Sequence, residues 1–171
     1  EDGIVYCSPY GRGNGDYKLW CEEDLRTVIA ACIEDYGCDP DRVYSTGGSM
    51  GGTGSWQIAT MYPDLFAAIG PTMGNANHHV WEQVWGWGQR EKTFLTPFRE
   101  WLESTTSAFT YAENLRNVPA WCVHGDADDI VPVDHSRTMV RRLRGLGYQI
   151  AYEEQGGVGH GGFSSGTEQR Q

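Results

Sequence analysis

Three kinds of side chain that together make an activated nucleophile occur here in a usable order: a serine in a glycine cluster, an acidic loop, and a late histidine between glycines. The serine is Ser49, in Gly47-Gly48-Ser49-Met50-Gly51. A serine hydroxyl is a weak nucleophile at neutral pH. It needs a base within hydrogen-bond reach, and the base needs an acid to orient it. A G-x-S-x-G run presents such a serine to a base when a strand enters it and a helix leaves it. The turn is sharp, tolerates only small neighbours, and lifts the hydroxyl off the sheet edge. The pattern is short and the chain has 23 glycines, so context must decide. Val43-Tyr44-Ser45-Thr46 reads as the entering strand and Ser55 to Tyr62 as the departing helix. Gly162-Phe163-Ser164-Ser165-Gly166 also fits the pattern, but no strand-like run enters it directly and no helix leaves it. Ser49 is therefore preferred to Ser164.

His160 is the best base among five histidines. It lies in Gly157-Val158-Gly159-His160-Gly161, where no core periodicity accounts for it. His124 directly follows an apolar strand and reads as a buried, hydrogen-bonded histidine. His135 falls at a helix start and reads as solvated. His78-His79 with Glu82 lack a third spaced ligand, so no metal is expected, and no cofactor either. Three aspartates compete to orient His160: Asp126, Asp128 and Asp129, all in one loop after a strand. Spacing alone does not separate them. For the oxyanion that develops on the substrate, the backbone N–H of Met50 supplies one donor at a helix N-terminus. A second donor normally comes from a loop of the His-Gly-Gly type after an earlier strand, and the sequence has no such loop.

The elements that must hold these residues alternate. Ile4 to Ser8 reads as a strand stopped by Pro9. Tyr10 to Tyr17 is a glycine-punctuated loop, either a surface turn or the rim of an active site. Leu19 to Tyr36 has helical period, with Leu25, Val28, Ile29, Cys32, Ile33 and Tyr36 on one face and Gly37 closing it. Strands are expected at Val43 to Thr46, at Phe66 to Ile69 (ended by Gly70-Pro71), at Pro119 to Val123 and at Tyr148 to Glu153. Tyr111 to Asn117 reads as a short helix. Another starts with Asp134 as N-cap and turns Met139, Val140, Leu143 and Leu146 inward. Strand–helix alternation implies right-handed crossovers and a parallel sheet.

The chain, 1–171, reads as one domain with a lid-like insert at about 75–110. The insert carries Trp81, Trp85, Trp87, Phe94, Phe98, Trp101 and Phe109. Trp81 and Trp85 share a helical face. The rings either pack the insert onto the body or form an aromatic wall of a substrate cleft.

A net charge of −10 argues against non-specific nucleic-acid binding and against an anionic membrane surface. The longest apolar run is well short of a membrane span. Five cysteines, with no C-x-x-C, read as mostly reduced thiols, with a bridge among Cys21, Cys32 and Cys38 left open.

Several pieces together resemble the catalytic domain of the prolyl oligopeptidase-like branch of the α/β-hydrolase superfamily. They are Pro9-Tyr10-Gly11-Arg12-Gly13, Gly47-Gly48-Ser49-Met50-Gly51-Gly52, Tyr62-Pro63-Asp64-Leu65-Phe66-Ala67-Ala68, His124-Gly125-Asp126-Ala127-Asp128-Asp129-Ile130-Val131-Pro132 and Gly157-Val158-Gly159-His160. The resemblance implies a three-layer α/β sandwich with a mostly parallel sheet, here lacking its N-terminal strands and oxyanion loop. It implies a Ser-Asp-His triad of Ser49, Asp128 (Asp129 as fallback) and His160, with no cofactor and no metal. It also implies a small-molecule or peptide substrate, and a place in a larger multidomain chain. Gly48 departs from the pattern, since many relatives carry histidine or tyrosine there.

Overall fold

The computed structural model describes residues 3–85 and 92–161, without the side chains of 82, 84 and 85. Trp87 and the alternative serine, Ser164, lie outside the described residues.

Four strands form the sheet, in the order β1 (Tyr44–Gly48), β2 (Ala68–Thr72), β3 (Ala120–Gly125) and β4 (Ile150–Gln155). Every neighbouring pair is parallel. Helices α1 (Trp20–Tyr36), α2 (Met50–Met61), α3 (His78–Trp85), α4 (Thr96–Thr105) and α5 (Asp134–Gly145) fall between strands or before the first. A 3-10 stretch, Ala108–Asn117, leads into β3.

Burial alternates along the strands. Ala120, Cys122 and His124 of β3 point into the core, whereas Trp121 is exposed. Across the sheet the exposed face carries Tyr44, Thr46, Trp121, Ala151 and Glu153. The buried face is covered by α2, α5 and the 3-10 stretch, which meet in one apolar cluster around Trp56, Leu115, Met139 and Leu143. The described residues thus supply the sheet and one of its helical layers.

α2 is the element that the core surrounds: every residue from Gly52 to Thr60 is buried. Its hydroxyls and one amide group are met internally, whereas Trp56 Nε1 and Gln57 Oε1 are buried with no hydrogen-bond partner among the described residues. Thr60 Oγ1 donates to the carbonyls of Trp56 and Gln57, and Ser55 Oγ donates to that of Gly51. Gln57 Nε2 donates to Glu22 Oε1 at 3.0 Å, which ties α1 to α2. Along α1, Leu25 is buried, Val28, Ile29, Cys32 and Ile33 line the same side with partial or little burial, and Tyr36 is exposed.

Several expectations need correction. Ile4 to Ser8 is not a strand. Strand propensity expresses pairing and packing on a sheet. Here the segment has no ladder partner among the described residues, and Ile4 and Tyr6 stand exposed. β2 does not stop at Gly70-Pro71 but runs on to Thr72. Pro71 removes one donor from this inner strand. The bonds on either side, Ile69 N–H to Pro119 O and Met73 N–H to Val123 O, keep the pairing with β3. Asp134 is the first residue of α5, and Val133 is its N-cap.

The insert divides in two. Trp81 packs its ring on His135 of α5, 4.6 Å between centroids. Phe94, Phe98 and Trp101, in and beside α4, are exposed, and Phe98 stacks only on its neighbour Trp101 among the described rings.

All five cysteines are free thiols. The Cys7 thiol is pushed up by desolvation, by a side-chain hydrogen bond with Cys32 and by that neighbour's charge. Burial pushes Cys122 up to about 11.

Candidate active site

β1 ends at Gly48 and α2 begins at Met50, leaving Ser49 alone between them at φ 55°, ψ −119°. A non-glycine residue at positive φ costs about 1–3 kcal/mol, so the surroundings must enforce it. They do so from both sides. Ser49 N–H donates to Thr72 O at the end of β2, and Ser49 O accepts from the N–H and the hydroxyl of Thr53. A side chain at Gly52 would start 2.3 Å from Thr72 O, so only glycine lets α2 approach β2 this closely. The Met50 N–H belongs to the first turn of α2, where a helix has no carbonyl to offer it.

The acidic loop follows β3. Asp128 is buried, whereas Asp126 and Asp129 are exposed. The Asp128 Oδ1 accepts from the backbone N–H groups of Ile130 and Val131, at 2.9 and 2.8 Å. Its Oδ2 lies 2.8 Å from His160 Nδ1. Burial alone would raise the Asp128 pKa. The hydrogen bonds from His160, Val131 and Ile130, with the charge of His160, outweigh it and hold the carboxyl below its usual range. Asp126 acts elsewhere. Its Oδ1 accepts from Gly157 N–H, fixing the turn after β4.

That turn delivers the histidine. Ala127 N–H donates to Val158 O, and the N–H groups of Asp126 and Val158 both donate to Gln155 O. His160 follows, with Nε2 2.8 Å from Ser49 Oγ. Nδ1 faces a carboxylate, so it carries the proton, and Nε2 is left to accept from the serine hydroxyl. The structure therefore brings Ser49, His160 and Asp128 into one hydrogen-bonded line and leaves Asp129 outside it.

Two histidines behave unlike a surface residue. His124 is fully buried, as its place after an apolar strand predicts. Its Nδ1 lies 2.6 Å from Ser136 Oγ, and its Nε2 lies 2.9 Å from Val131 O and 3.2 Å from Asp128 Oδ2. Burial lowers its pKa, against the raising effect of Val131 and Asp128. His135 is also fully buried, not solvated. Its Nδ1 accepts from the N–H groups of Ala76 and Asn77 as the chain leaves β2, so tertiary packing overrides its helix-start position. Burial drops its pKa to about 3, with the charges of His124, His78 and Lys18 adding to the effect.

His78 meets Lys18 Nζ and Thr106 Oγ1 at Nε2. Burial, then the Lys18 charge, lowers its pKa to about 4. No group of three ligands able to hold a metal occurs among the described residues.

Beside Met50 opens a cavity of about 260 Å³, lined in part by Pro9, Tyr10, Asn14 and Tyr17. The glycine-punctuated loop thus borders a cavity that reaches Met50, the residue after Ser49. Trp81 is half-buried against His135, and the Trp85 side chain lies outside the described residues.

The parallel sheet, its crossover helices and the strained serine between β1 and α2 define an α/β hydrolase. The chain belongs to the prolyl oligopeptidase family, whose model matches residues 9–171. It is similar to an uncharacterized secreted protein of Arthroderma benhamiae, 29% identical over 155 residues, covering 85% of this chain and 16% of that one. Among solved structures it resembles a thermostable esterase, with 26% identity and a TM-score of 0.59 over 79% of this chain and 28% of the other. It resembles the acylaminoacyl peptidase of Pyrococcus horikoshii, with 23% identity and a TM-score of 0.69 over 82% and 23%. A puromycin-hydrolyzing peptidase of Mycobacterium tuberculosis matches at 24% identity and a TM-score of 0.68 over 82% and 22%. The chain therefore spans about a sixth to a little over a quarter of the length of these relatives.

Proposed function

We propose that this chain carries the catalytic machinery of a serine hydrolase that cleaves a peptide or ester bond through an acyl-enzyme. The observation that carries the proposal is the unbroken line from Asp128 Oδ2 to His160 Nδ1 and from His160 Nε2 to Ser49 Oγ, each contact 2.8 Å. Ser49 Oγ attacks the substrate carbonyl carbon while His160 Nε2 takes its proton. Asp128 keeps the imidazole turned and stabilises it when charged. The Met50 N–H stabilises the oxyanion. The carbonyl re-forms, the C–N or C–O bond breaks, and His160 returns the proton to the leaving group. Water, deprotonated by the same His160, then releases the acyl group and restores Ser49.

The family favours a peptide bond. An ester is the second reading, since the thermostable esterase shares 26% of its residues with this chain over the matched region. Trp81 and Trp85, four residues apart in sequence, are proposed to contribute to the substrate cleft. No nucleic-acid or membrane partner is part of the proposal.

A fluorophosphonate probe tests the nucleophile. Labelling should be lost in Ser49→Ala and kept in Ser164→Ala. Labelling that survives Ser49→Ala would remove Ser49 from the mechanism. Parallel assays on p-nitrophenyl acetate and on a proline-containing peptide then separate esterase from peptidase.

A further inference from the structure

The hydrogen bonds around Asp128 continue one step deeper than Ser49, His160 and Asp128 themselves. Asp128 Oδ2 faces two imidazoles, His160 at 2.8 Å and His124 at 3.2 Å. His124 Nε2 looks only at acceptors, Asp128 Oδ2 and Val131 O, so it must carry a proton. Its other nitrogen meets Ser136 Oγ at 2.6 Å, and Ser136 Oγ in turn receives the Cys122 thiol at 3.2 Å. The donors run one way: Cys122 S–H to Ser136, Ser136 O–H to His124 Nδ1, and His124 Nε2–H to Val131 O, with Asp128 Oδ2 beside the same N–H at 3.2 Å. All three relay residues are fully buried, so water does not compete for these bonds.

We propose that His124, held as the Nε2–H tautomer by Ser136, is a positioning residue that fixes the Asp128 carboxylate for His160. This rests on the serine-hydrolase reading above. The three donors on Asp128 other than His160 come from two directions. The N–H groups of Ile130 and Val131 hold Oδ1 from its own loop, and His124 holds Oδ2 from the end of β3. The carboxylate is thus anchored to the sheet as well as to the loop. The second effect is electronic. A carboxylate oxygen that already accepts from His124 is a weaker acceptor for His160. The charged and titratable groups around this pair are His160 and Asp128 on the substrate side, His135 from α5 and Glu154 from β4.

The direction of the effect follows. Without the His124 donor, Asp128 interacts more strongly with the imidazolium form of His160. The His160 titration, followed by NMR at its ring protons, should move to higher pH, and the acid limb of kcat/KM should move with it. Looser placement of the carboxylate should cost kcat more than KM. In His124→Phe we expect a loss of about 10- to 100-fold in kcat, short of the ~10⁴-fold cost of losing a triad acid itself. Ser136→Ala removes the donor at Nδ1 without removing the ring, while the acceptors at Nε2 still favour the Nε2–H tautomer, and it should give a smaller change in the same direction. His124→Gln can present an N–H in place of Nε2–H and should recover part of the loss.

A purely structural His124 would lower thermal stability alone. A folded His124→Phe or Ser136→Ala protein with the His160 titration unmoved would overturn the proposal. Ser49-dependent hydrolysis is measured alongside. If the wild type shows none, the hydrolase reading fails separately, while the NMR titration still decides whether His124 acts on Asp128 and His160.

Discussion

Lowering the pH from 7 to 5 should destabilise this protein through His135. In the unfolded chain a histidine titrates near 6.5. In the fold His135 is fully buried and its pKa falls to about 3. The geometry says the same independently. Nδ1 already accepts from two backbone N–H groups, and a proton there would break both contacts. Nε2 is buried with no hydrogen-bond partner among the described residues. The folded pKa lies below the unfolded one, so the unfolded state binds the extra proton. Stability is fully present above about pH 6.5 and is lost as the pH falls through 6.5 towards 3. By pH 5 the linkage amounts to about 2 kcal/mol from this one residue. That is a large part of a net stability of roughly 5–15 kcal/mol. His78, with its pKa lowered to about 4, acts in the same direction. The assay is urea unfolding at pH 7, 6 and 5, for wild type and His135→Gln. The variant should be less stable at pH 7 but lose about 2 kcal/mol less on acidification, about 1 M in urea midpoint at a slope of about 2 kcal/mol/M. Equal losses in the two proteins would refute the assignment to His135.

Three further outcomes follow from named contacts. Asp128→Asn should reduce hydrolysis by about 10⁴-fold by presenting the wrong hydrogen-bond pattern to His160 Nδ1, and Asp129→Asn should stay near wild type, both read as kcat/KM. Gly125→Ala places a Cβ 2.1 Å from Val158 O, in the turn that carries His160. It should cost activity more than stability, visible as lost probe labelling in a protein that still unfolds cooperatively. Trp56→Ala should cost about 3–5 kcal/mol, since the ring is fully buried at the centre of α2, and a shift in urea midpoint measures it.

Much of the architecture was legible because it rests on local rules. The elbow, the helical period of α1 and α5, and the strand–helix alternation each follow from a few neighbouring residues. The failures share one cause, which is that partners distant in sequence decide the outcome. Ile4 to Ser8 has strand composition but lacks a ladder partner among the described residues. Pro71 looks like a stop, yet bonds from Ile69 and Met73 to β3 carry β2 past it. His135 opens a helix, where solvent is the ordinary expectation. It is buried because the chain leaving β2 places two N–H groups against its ring.

The same distinction explains what could be read at the site. Ser49 and His160 are marked by their own neighbours, glycines that a turn demands. The three aspartates of one loop carry no such local mark, and only a family resemblance ranked them. In the fold the ranking acquires a physical basis. Asp128 is the buried one of the three, receives two backbone N–H groups of its own loop, and lies opposite His160. Asp126 is taken up by Gly157, and Asp129 faces solvent. The spacing of His124 and Asp128 holds the least visible part. Four residues apart at a strand end, one fills the core and the other serves the site, and only the turn between them brings the imidazole of one to the carboxylate of the other. A sequence pattern that names the acid alone therefore omits the group that holds it from behind.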